Sequence, residues 1–340
     1  MKMITDTNFV KIFLFSIAIF STFTSFSQEN ETKDKKISFS GSIDAYYKTN
    51  LSASDKILQS PGTSFANETG FALGMANAIV AYTTEKTGAV ADLVFGPKGD
   101  EASGGYQINQ LYAYWNVTDD IKLTAGRFNT FLGYEVISPT ANFNYSTSYL
   151  FSYGPFSHLG LKADFSLTEE LSLMLAFMNV TDVNNNMTGA YSFGAQLGYS
   201  GQYLNFYYDN KASLGFEIDY TGGITVTEDF YLGINAAYQD NDGIGFYGAA
   251  LYPQLATTEN LTMGLRGEYF VENGAYGAIG TDVEDASVFA LTLTASYNIE
   301  NLTIKPEIRL DSASDDAFLD RDATSSKNLS SFLIAAIYAF

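Results

Sequence analysis

The sequence predicts an all-β fold, a transmembrane antiparallel β-barrel of about 16 strands with short periplasmic turns and longer extracellular loops. Three observations predict it. Apolar and polar residues alternate along segments of about ten residues. The number of these segments is even. Short connections between them alternate with connections that are mostly longer. A barrel is required because the edge of an open sheet would leave N–H and C=O groups unpaired in hydrocarbon.

The alternation separates an apolar face from a polar one within each segment. Leu159, Leu161 and Ala163 lie on one face, whereas Lys162 and Asp164 lie on the other. The pattern predicts sixteen strands, near residues 37–48, 70–83, 89–97, 106–117, 121–128, 158–167, 171–179, 189–200, 202–209, 213–226, 230–239, 244–255, 261–270, 286–297, 302–311 and 331–340.

The connections distinguish the two ends of the predicted barrel. Short polar turns recur at 118–120, 168–170, 227–229, 257–260 and 298–301. The intervening connections are mostly longer, at 49–69, 129–157, 180–188, 271–285 and 312–330. Short turns at one end and long loops at the other are typical of bacterial outer-membrane barrels, whereas a soluble sandwich seldom shows this regularity.

The composition excludes several function classes. The 340 residues include 38 acidic and 18 basic side chains, so the net charge of −20 argues against a nucleic-acid partner. The chain has no Cys, which excludes thiolate metal sites and thiol catalysis. Its one histidine, His158, argues against multi-His zinc sites. We therefore predict no cofactor and no metal site.

The N-terminus predicts export. Lys2 and Lys11 precede an apolar run at 12–20, and small residues precede Gln28, which is the pattern of a cleaved signal peptide at 1–27. The run is too short for a membrane anchor helix. Residues 28–36 would form a short periplasmic segment without a plug domain, and 37–340 the barrel. We expect a location in the outer membrane of a Gram-negative bacterium, in contact with lipid and lipopolysaccharide.

Aromatic residues are expected at the two membrane interfaces, where amphipathic rings favour the headgroup level. We predict such a role for residues that include Tyr46, Tyr82, Trp115, Tyr207 and Tyr252. The last predicted strand ends in Phe340, which predicts recognition by barrel-assembly machinery.

The connection at 129–157 is far longer than ordinary loops and rich in aromatic residues. Such a loop is expected to pack against protein rather than extend into water. It joins the fifth and sixth predicted strands, the position at which general porins carry a loop that folds inward. We therefore expect it to narrow the lumen.

This region also resembles a known family. The strings GRFNTFLGYEVISP (126–139) and NFNYSTSYLFSYGPFSHLGLKADFSLTEELSL (142–173) are similar to the OmpL-like outer-membrane β-barrel porins. The matching positions are Gly126, Arg127, Phe128, Gly133, Tyr134, Glu135, Asn144, Tyr145 and Ser146. The resemblance implies a porin-like protein. Our candidate constriction residues are Arg127, Tyr134, Glu135, Asn144 and Tyr145.

Charged residues on the polar faces are the candidates for lining a channel, since sixteen strands leave room for water. They are Asp44, Lys48, Asp92, Lys122, Lys162, Asp164, Glu217, Asp219, Arg266, Glu268, Lys305, Glu307, Arg309 and Asp311. Their alternating signs allow two interpretations, a charge ladder that stiffens the wall or a path for solutes. Acidic residues in the long loops further predict a mild preference for cations.

The predicted function is passive diffusion of small hydrophilic solutes through this mixed-charge lumen, without enzymatic activity. Two alternatives remain open. A structural or adhesive barrel would not conduct ions or solutes. A barrel hydrolase would need a base, and His158, next to Ser157, is the available histidine.

Overall fold

A computed structural model describes residues 35–54, 56 and 59–340 of the chain. The predicted signal peptide at 1–27 and nearly all of the 28–36 segment lie outside the described residues. The described part contains a barrel that begins at Lys36.

Eighteen strands and two helices follow one another along the described residues. The strands are β1 (Lys36–Asn50), β2 (Gly70–Thr83), β3 (Thr87–Phe95), β4 (Ile108–Asn116), β5 (Ile121–Asn129), β6 (Ser157–Ser166), β7 (Leu171–Asn179), β8 (Tyr191–Tyr199), β9 (Gln202–Tyr208), β10 (Phe216–Thr225), β11 (Phe230–Asn241), β12 (Ile244–Thr258), β13 (Leu261–Asn273), β14 (Ser287–Ile299), β15 (Leu302–Ala313), β16 (Phe318–Leu319), β17 (Ser325–Ser326) and β18 (Asn328–Ala339). The helices are α1 (Pro97–Ser103) and α2 (Tyr149–Tyr153).

Sixteen of these strands form one closed antiparallel barrel, which confirms the predicted fold class. Each strand pairs with its neighbour in sequence, except that the closing strand β18 pairs with β15 and with β1. The seam between β1 and β18 runs from Ser42 opposite Ala339 to Asn50 opposite Ser331. The short strands β16 and β17 form a separate hairpin inside the last long loop.

The barrel has a turn end and a loop end. At the turn end the connections span two to four residues, such as 117–120 and 300–301. At the loop end they are mostly longer, and the connection between β5 and β6 at 130–156 is named the inner loop below. One exception is the Asp242–Gly243 turn, where both residues have positive φ values of 61° and 87°. A two-residue turn of this kind matches the twist of the flanking strands.

Both helices lie in connections at the loop end, and periodicity did not predict either one. Helix α1 starts with Pro97 and ends at Gly104, whose left-handed φ of 63° suits a residue without Cβ. Helix α2 is a single short turn capped by the Ser148 side chain. Among the described residues, no helix is long and apolar enough to cross a membrane.

The outer face carries the apolar residues of the alternation. Phe71 is 93% exposed and Leu73 is 69% exposed, as expected of side chains that face lipid rather than a protein core. Tyr82 and Trp115 are also exposed on this face. Three predicted interfacial rings, Tyr46, Tyr207 and Tyr252, are instead buried. For these three the prediction was wrong, because their rings lie inside the barrel, where Tyr46 packs on Tyr145, Tyr252 on Tyr134 and Tyr207 in a cluster with Leu132 of the inner loop.

Candidate channel constriction

The inner loop folds into the barrel and forms hydrogen bonds with wall strands that come much later in the sequence. Two carboxylates of the wall each accept bonds from two neighbouring backbone N–H groups. Glu307 on β15 accepts from the N–H groups of Tyr145 at 2.9 Å and Ser146 at 3.3 Å. Glu268 on β13 accepts from Tyr149 at 3.0 Å and Leu150 at 2.8 Å, at the start of α2. These carboxylates satisfy donors that the loop would otherwise bury unpaired.

The guanidinium of Arg266 on β13 provides a third anchor. Its Nη1 atom lies 2.6 Å from Oε1 of Glu135 in the loop and donates to the Ser146 carbonyl at 2.6 Å. Nη2 donates to the Thr147 carbonyl at 3.3 Å and to Thr292 at 3.1 Å. Both partners of the ion pair are buried, so loss of either one would leave the other as a buried charge without a counter-ion.

Three further wall residues bind the loop. Arg309 donates to the Thr147 carbonyl at 2.7 Å. Lys305 donates to the carbonyls of Pro139 and Asn142. Asp44 on β1 accepts from the Tyr145 hydroxyl. Burial, together with the charge of Asp44, raises the pKa of Tyr145, so this hydroxyl keeps its proton and remains a donor.

Glycines in the wall make room for aromatic rings of the loop. A Cβ atom on Gly233 would lie 2.3 Å from the Tyr134 hydroxyl, and one on Gly264 would lie 2.2 Å from the Phe143 ring. A Cβ atom on Gly194 would lie 2.5 Å from the Phe131 ring. Any side chain at these three positions would therefore displace the ring above it.

Helix α1 places a lysine beside the inner loop. Lys98 is 4% exposed, and its Nζ lies 4.6 Å from the centre of the Phe65 ring and 5.4 Å from that of Tyr145. Among the described residues its ammonium has no hydrogen-bond partner. Burial lowers the pKa of Lys98 to about 8, although nearby carboxylates, Asp44 foremost, oppose the shift.

Two cavities open at the turn end, below the inner loop. The first, named the tyrosine vestibule, has a volume of about 700 Å³ and is lined by inner-loop residues that include Tyr134 and Pro139–Asn144, together with β11, β12, β14, β15, β18 and the turn at 300–301. The second has a volume of about 600 Å³ and is lined by the turns near Lys86 and Asp119 and by Lys122 and Asp164. Nearer the loop end, apolar side chains of α2 pack against β12–β14, with Leu150 next to Phe246 and Phe270.

A profile of the beta-barrel porin-2, OmpL-like family matches residues 36–340, which is the whole barrel. The chain belongs to this family. The family resemblance of residues 126–173 is thereby confirmed, and the protein is an outer-membrane porin. No curated protein matches the chain in sequence.

Solved porin structures share the fold. OprB of Pseudomonas putida superposes with a TM-score of 0.60 at 10% identity, covering 91% of this chain and 94% of that one. The trimer form of OmpT from Vibrio cholerae gives 0.53 at 10% identity, with 91% and 100% coverage. A mutant of the Rh. blastica porin gives 0.56 at 13% identity, with 90% and 100% coverage. At these identities the likeness concerns the barrel fold alone.

The porin's predicted lining residues fall into two groups. Eleven of the fourteen are buried beneath the loops or in the wall: Asp44, Lys48, Asp92, Glu217, Asp219, Arg266, Glu268, Lys305, Glu307, Arg309 and Asp311. Lys122, Lys162 and Asp164 on β5 and β6 remain partly exposed. The charged wall is therefore partly solvated on β5 and β6, whereas most of its other charges are buried, some of them by the inner loop and Lys48 by the loop after β1.

The pairing of these charges differs from a simple ladder. Arg309 bonds to Asp311 along β15 at 2.9 Å. Arg266, however, takes Glu135 of the loop as its carboxylate, whereas its neighbour Glu268 accepts backbone bonds. Arg309 and Asp311 therefore pair as a charge ladder would, whereas Arg266 does not pair with Glu268, because alternation along a strand cannot reveal a loop residue 131 positions away.

The structure places four of the five candidate constriction residues on the inner loop and one on the barrel wall. Tyr134, Glu135, Asn144 and Tyr145 are on the inner loop and contact the wall. Arg127 belongs to β5 and donates to the Asn109 carbonyl and to Asn184 of another loop. Sequence reasoning missed Lys98, the wall glycines and Thr292, since none of them carries a pattern that distinguishes it from neighbouring residues.

His158 lies in a setting that does not resemble a hydrolytic site. Its side chain is buried, its ring packs 4.9 Å from that of Phe131, and its Nε2 lies 3.0 Å from the Thr130 hydroxyl. The neighbouring Ser157 hydroxyl donates to Asp182 at 3.0 Å rather than to the imidazole. A nucleophile and its base should instead be hydrogen-bonded and open to substrate.

Proposed function

We propose that this porin is a passive diffusion channel for small hydrophilic solutes, and that the inner loop narrows its lumen. The observation that carries the proposal is the set of bonds by which Glu268, Glu307 and Arg266 hold the loop backbone across the barrel. A loop held by buried, charge-assisted bonds has a defined position, and a defined position is what a size filter requires.

The solvated side of the wall supports polar rather than apolar solutes. Lys162 and Asp164 lie 3.1 Å apart and are only partly buried, and Lys122 and Asp164 line the second cavity at the turn end. The acidic excess of the chain, concentrated partly in long loops such as 314–327, supports a mild preference for cations. A reversal potential that shows anion selectivity would contradict that preference.

Planar-bilayer recording tests the proposal. The purified chain should form water-filled channels, and a graded series of neutral sugars should pass up to a size limit. Deletion of 135–148 should raise both the conductance and this limit. An unchanged conductance in a folded deletion variant would show that the loop does not form the constriction.

A non-conducting structural or adhesive barrel is the second candidate, and one observation favours it. The buried wall charges and the apolar cluster of Leu150, Phe246 and Phe270 occupy much of the interior near the loop end. Vesicles that contain the folded protein but neither swell in sugar solutions nor conduct ions would establish this alternative.

We also propose that the last strand serves assembly. Phe340 closes the barrel seam, since its N–H donates to the Gly41 carbonyl at 3.0 Å and its ring lies 5.6 Å from that of Phe39. Replacement of Phe340 by Ser should reduce the amount of folded barrel in the outer membrane. Lipid and lipopolysaccharide are the proposed surroundings of the barrel there. Normal assembly of this variant would contradict the role.

A further inference from the structure

We propose that the tyrosine vestibule, which lies at the turn end below the inner loop, binds neutral saccharides. This inference rests on the proposed diffusion function and assigns a solute class to it. The vestibule is a concave, partly enclosed space of about 700 Å³, within the range of small-molecule sites.

Aromatic rings form one side of the vestibule. Tyr134 of the inner loop stacks on Tyr252 of β12, with ring centres 4.3 Å apart. The hydroxyl of Tyr231 on β11 lies 3.5 Å from that of Tyr134. Tyr252 is buried behind Tyr134, so the half-buried Tyr134 and Tyr231 present their rings to the vestibule, and such rings combine an apolar face with a hydrogen-bonding tip. The C–H face of a pyranose ring can pack against surfaces of this kind.

Two of the three charged groups that line the vestibule, Glu135 and Lys305, already have partners within the protein, whereas Glu300 lies exposed in the turn at its mouth. Glu135 is paired with Arg266 at 2.6 Å and accepts from the N–H of Ser148 at 2.7 Å. Lys305 donates to two loop carbonyls. Neither group is available to bind a charged solute without breaking an anchor of the loop. The inner part of the site is therefore expected to disfavour ionised ligands relative to neutral ones.

The remaining polar groups are neutral amides and hydroxyls. Gln254, Ser296 and Thr303 line the vestibule on β12, β14 and β15. Asn144 is 2% exposed, and its Oδ1 has no hydrogen-bond partner among the described residues although its Nδ2 donates to Thr294 at 2.7 Å. Amides and hydroxyls both donate and accept, which matches the mixed donors and acceptors of a sugar.

The test measures binding and conduction separately. Titration calorimetry of the full chain in detergent with sucrose and raffinose should show saturable binding. Both sugars should also reduce the ion current through single channels in a concentration-dependent manner. Glucose should bind more tightly than glucuronate or glucosamine, because the latter two carry a charge. Equal or tighter binding of either charged analogue would overturn the assignment of a neutral ligand.

Matched variants locate the site. Tyr231→Ala should weaken raffinose binding at least tenfold, and Gln254→Leu provides a second variant should the first fail to fold. The control is Tyr203→Ala, which removes a tyrosine of β9 that pairs with Thr221 on β10 and does not line the vestibule. It should bind raffinose as the unchanged protein does. Equal binding by the unchanged protein, Tyr231→Ala and Gln254→Leu would overturn the site.

The two proposals fail in different ways. If the protein conducts but neither binds sugar in detergent nor shows current block, the saccharide site is wrong and the channel stands. If the protein binds sugar yet does not conduct, the channel is wrong, and the vestibule is a binding site of a closed barrel.

Discussion

Replacement of Arg266 by Met should release the inner loop from β13 while leaving the barrel intact. The substitution removes the buried pair with Glu135 and the bonds to the Ser146 and Thr147 carbonyls, and it leaves the Glu135 carboxylate buried without its cation. Removal of one partner of a buried pair costs about 3–5 kcal/mol. Since 1.4 kcal/mol corresponds to a factor of ten, the seated position of the loop should lose roughly 10² to 4 × 10³ in relative population.

Single-channel recording and heat-modifiable electrophoresis together measure this effect. We expect a larger and noisier conductance for Arg266→Met, with the folded barrel still visible on the gel. Lys211→Met is the matched control, because Lys211 forms an exposed pair with Asp242 at the loop end. Its conductance should change little, since exposed pairs contribute little to stability.

A double variant separates charge from contact. Addition of Glu135→Gln to Arg266→Met removes the uncompensated carboxylate and should recover part of the lost stability. The reasoning is refuted if Arg266→Met folds normally and retains the conductance and noise of the unchanged channel.

Three further predictions follow from the same contacts. Gly264→Val should displace Phe143 and alter conductance, whereas Gly267→Val on the same strand should not, because a Cβ atom there meets its nearest neighbour only at 4.0 Å. Burial lowers the pKa of Lys98 from 10.5 to about 8. Between these two pH values the unfolded chain therefore binds more protons than the folded chain does, so the free energy of unfolding should rise with pH across that window. Thermal unfolding midpoints of Lys98→Met should lack this rise; an identical pH profile would contradict it. Deletion of 135–148 should widen the pore without lowering the yield of folded barrel.

The barrel itself was predictable because the alternation of apolar and polar residues within each strand shows which of its faces meets lipid. The alternation of Leu159, Leu161 and Ala163 with Lys162 and Asp164 requires no knowledge of any other strand. The even number of strands and the alternating loop lengths then follow from a closed sheet. The family profile and the closed barrel agree with these predictions.

The contacts of the inner loop were only partly predictable, because its hydrogen bonds join residues far apart in sequence. The length and aromatic content of 129–157 indicated an inward loop, but nothing local shows that Glu268 would accept the N–H groups of Tyr149 and Leu150. Nearly every residue has a backbone N–H group, so the composition does not show which of these groups will bond to a carboxylate. The role of wall glycines such as Gly233 was not predictable either, because the sequence does not show which ring packs against a position that lacks a side chain.

The long sequence separation of the anchors has a consequence for the order of folding. The inner loop is synthesised before β13 and β15, and its bonds to Glu268 and Glu307 span 118 to 162 residues. Contacts of such separation form late, after shorter-range pairing has reduced the entropy of loop closure. The loop can therefore reach its seat only once the carboxyl-terminal third of the chain has joined the wall. Burial of Tyr145 and Tyr149 would report, in a time-resolved refolding experiment, the moment at which the cylinder becomes complete.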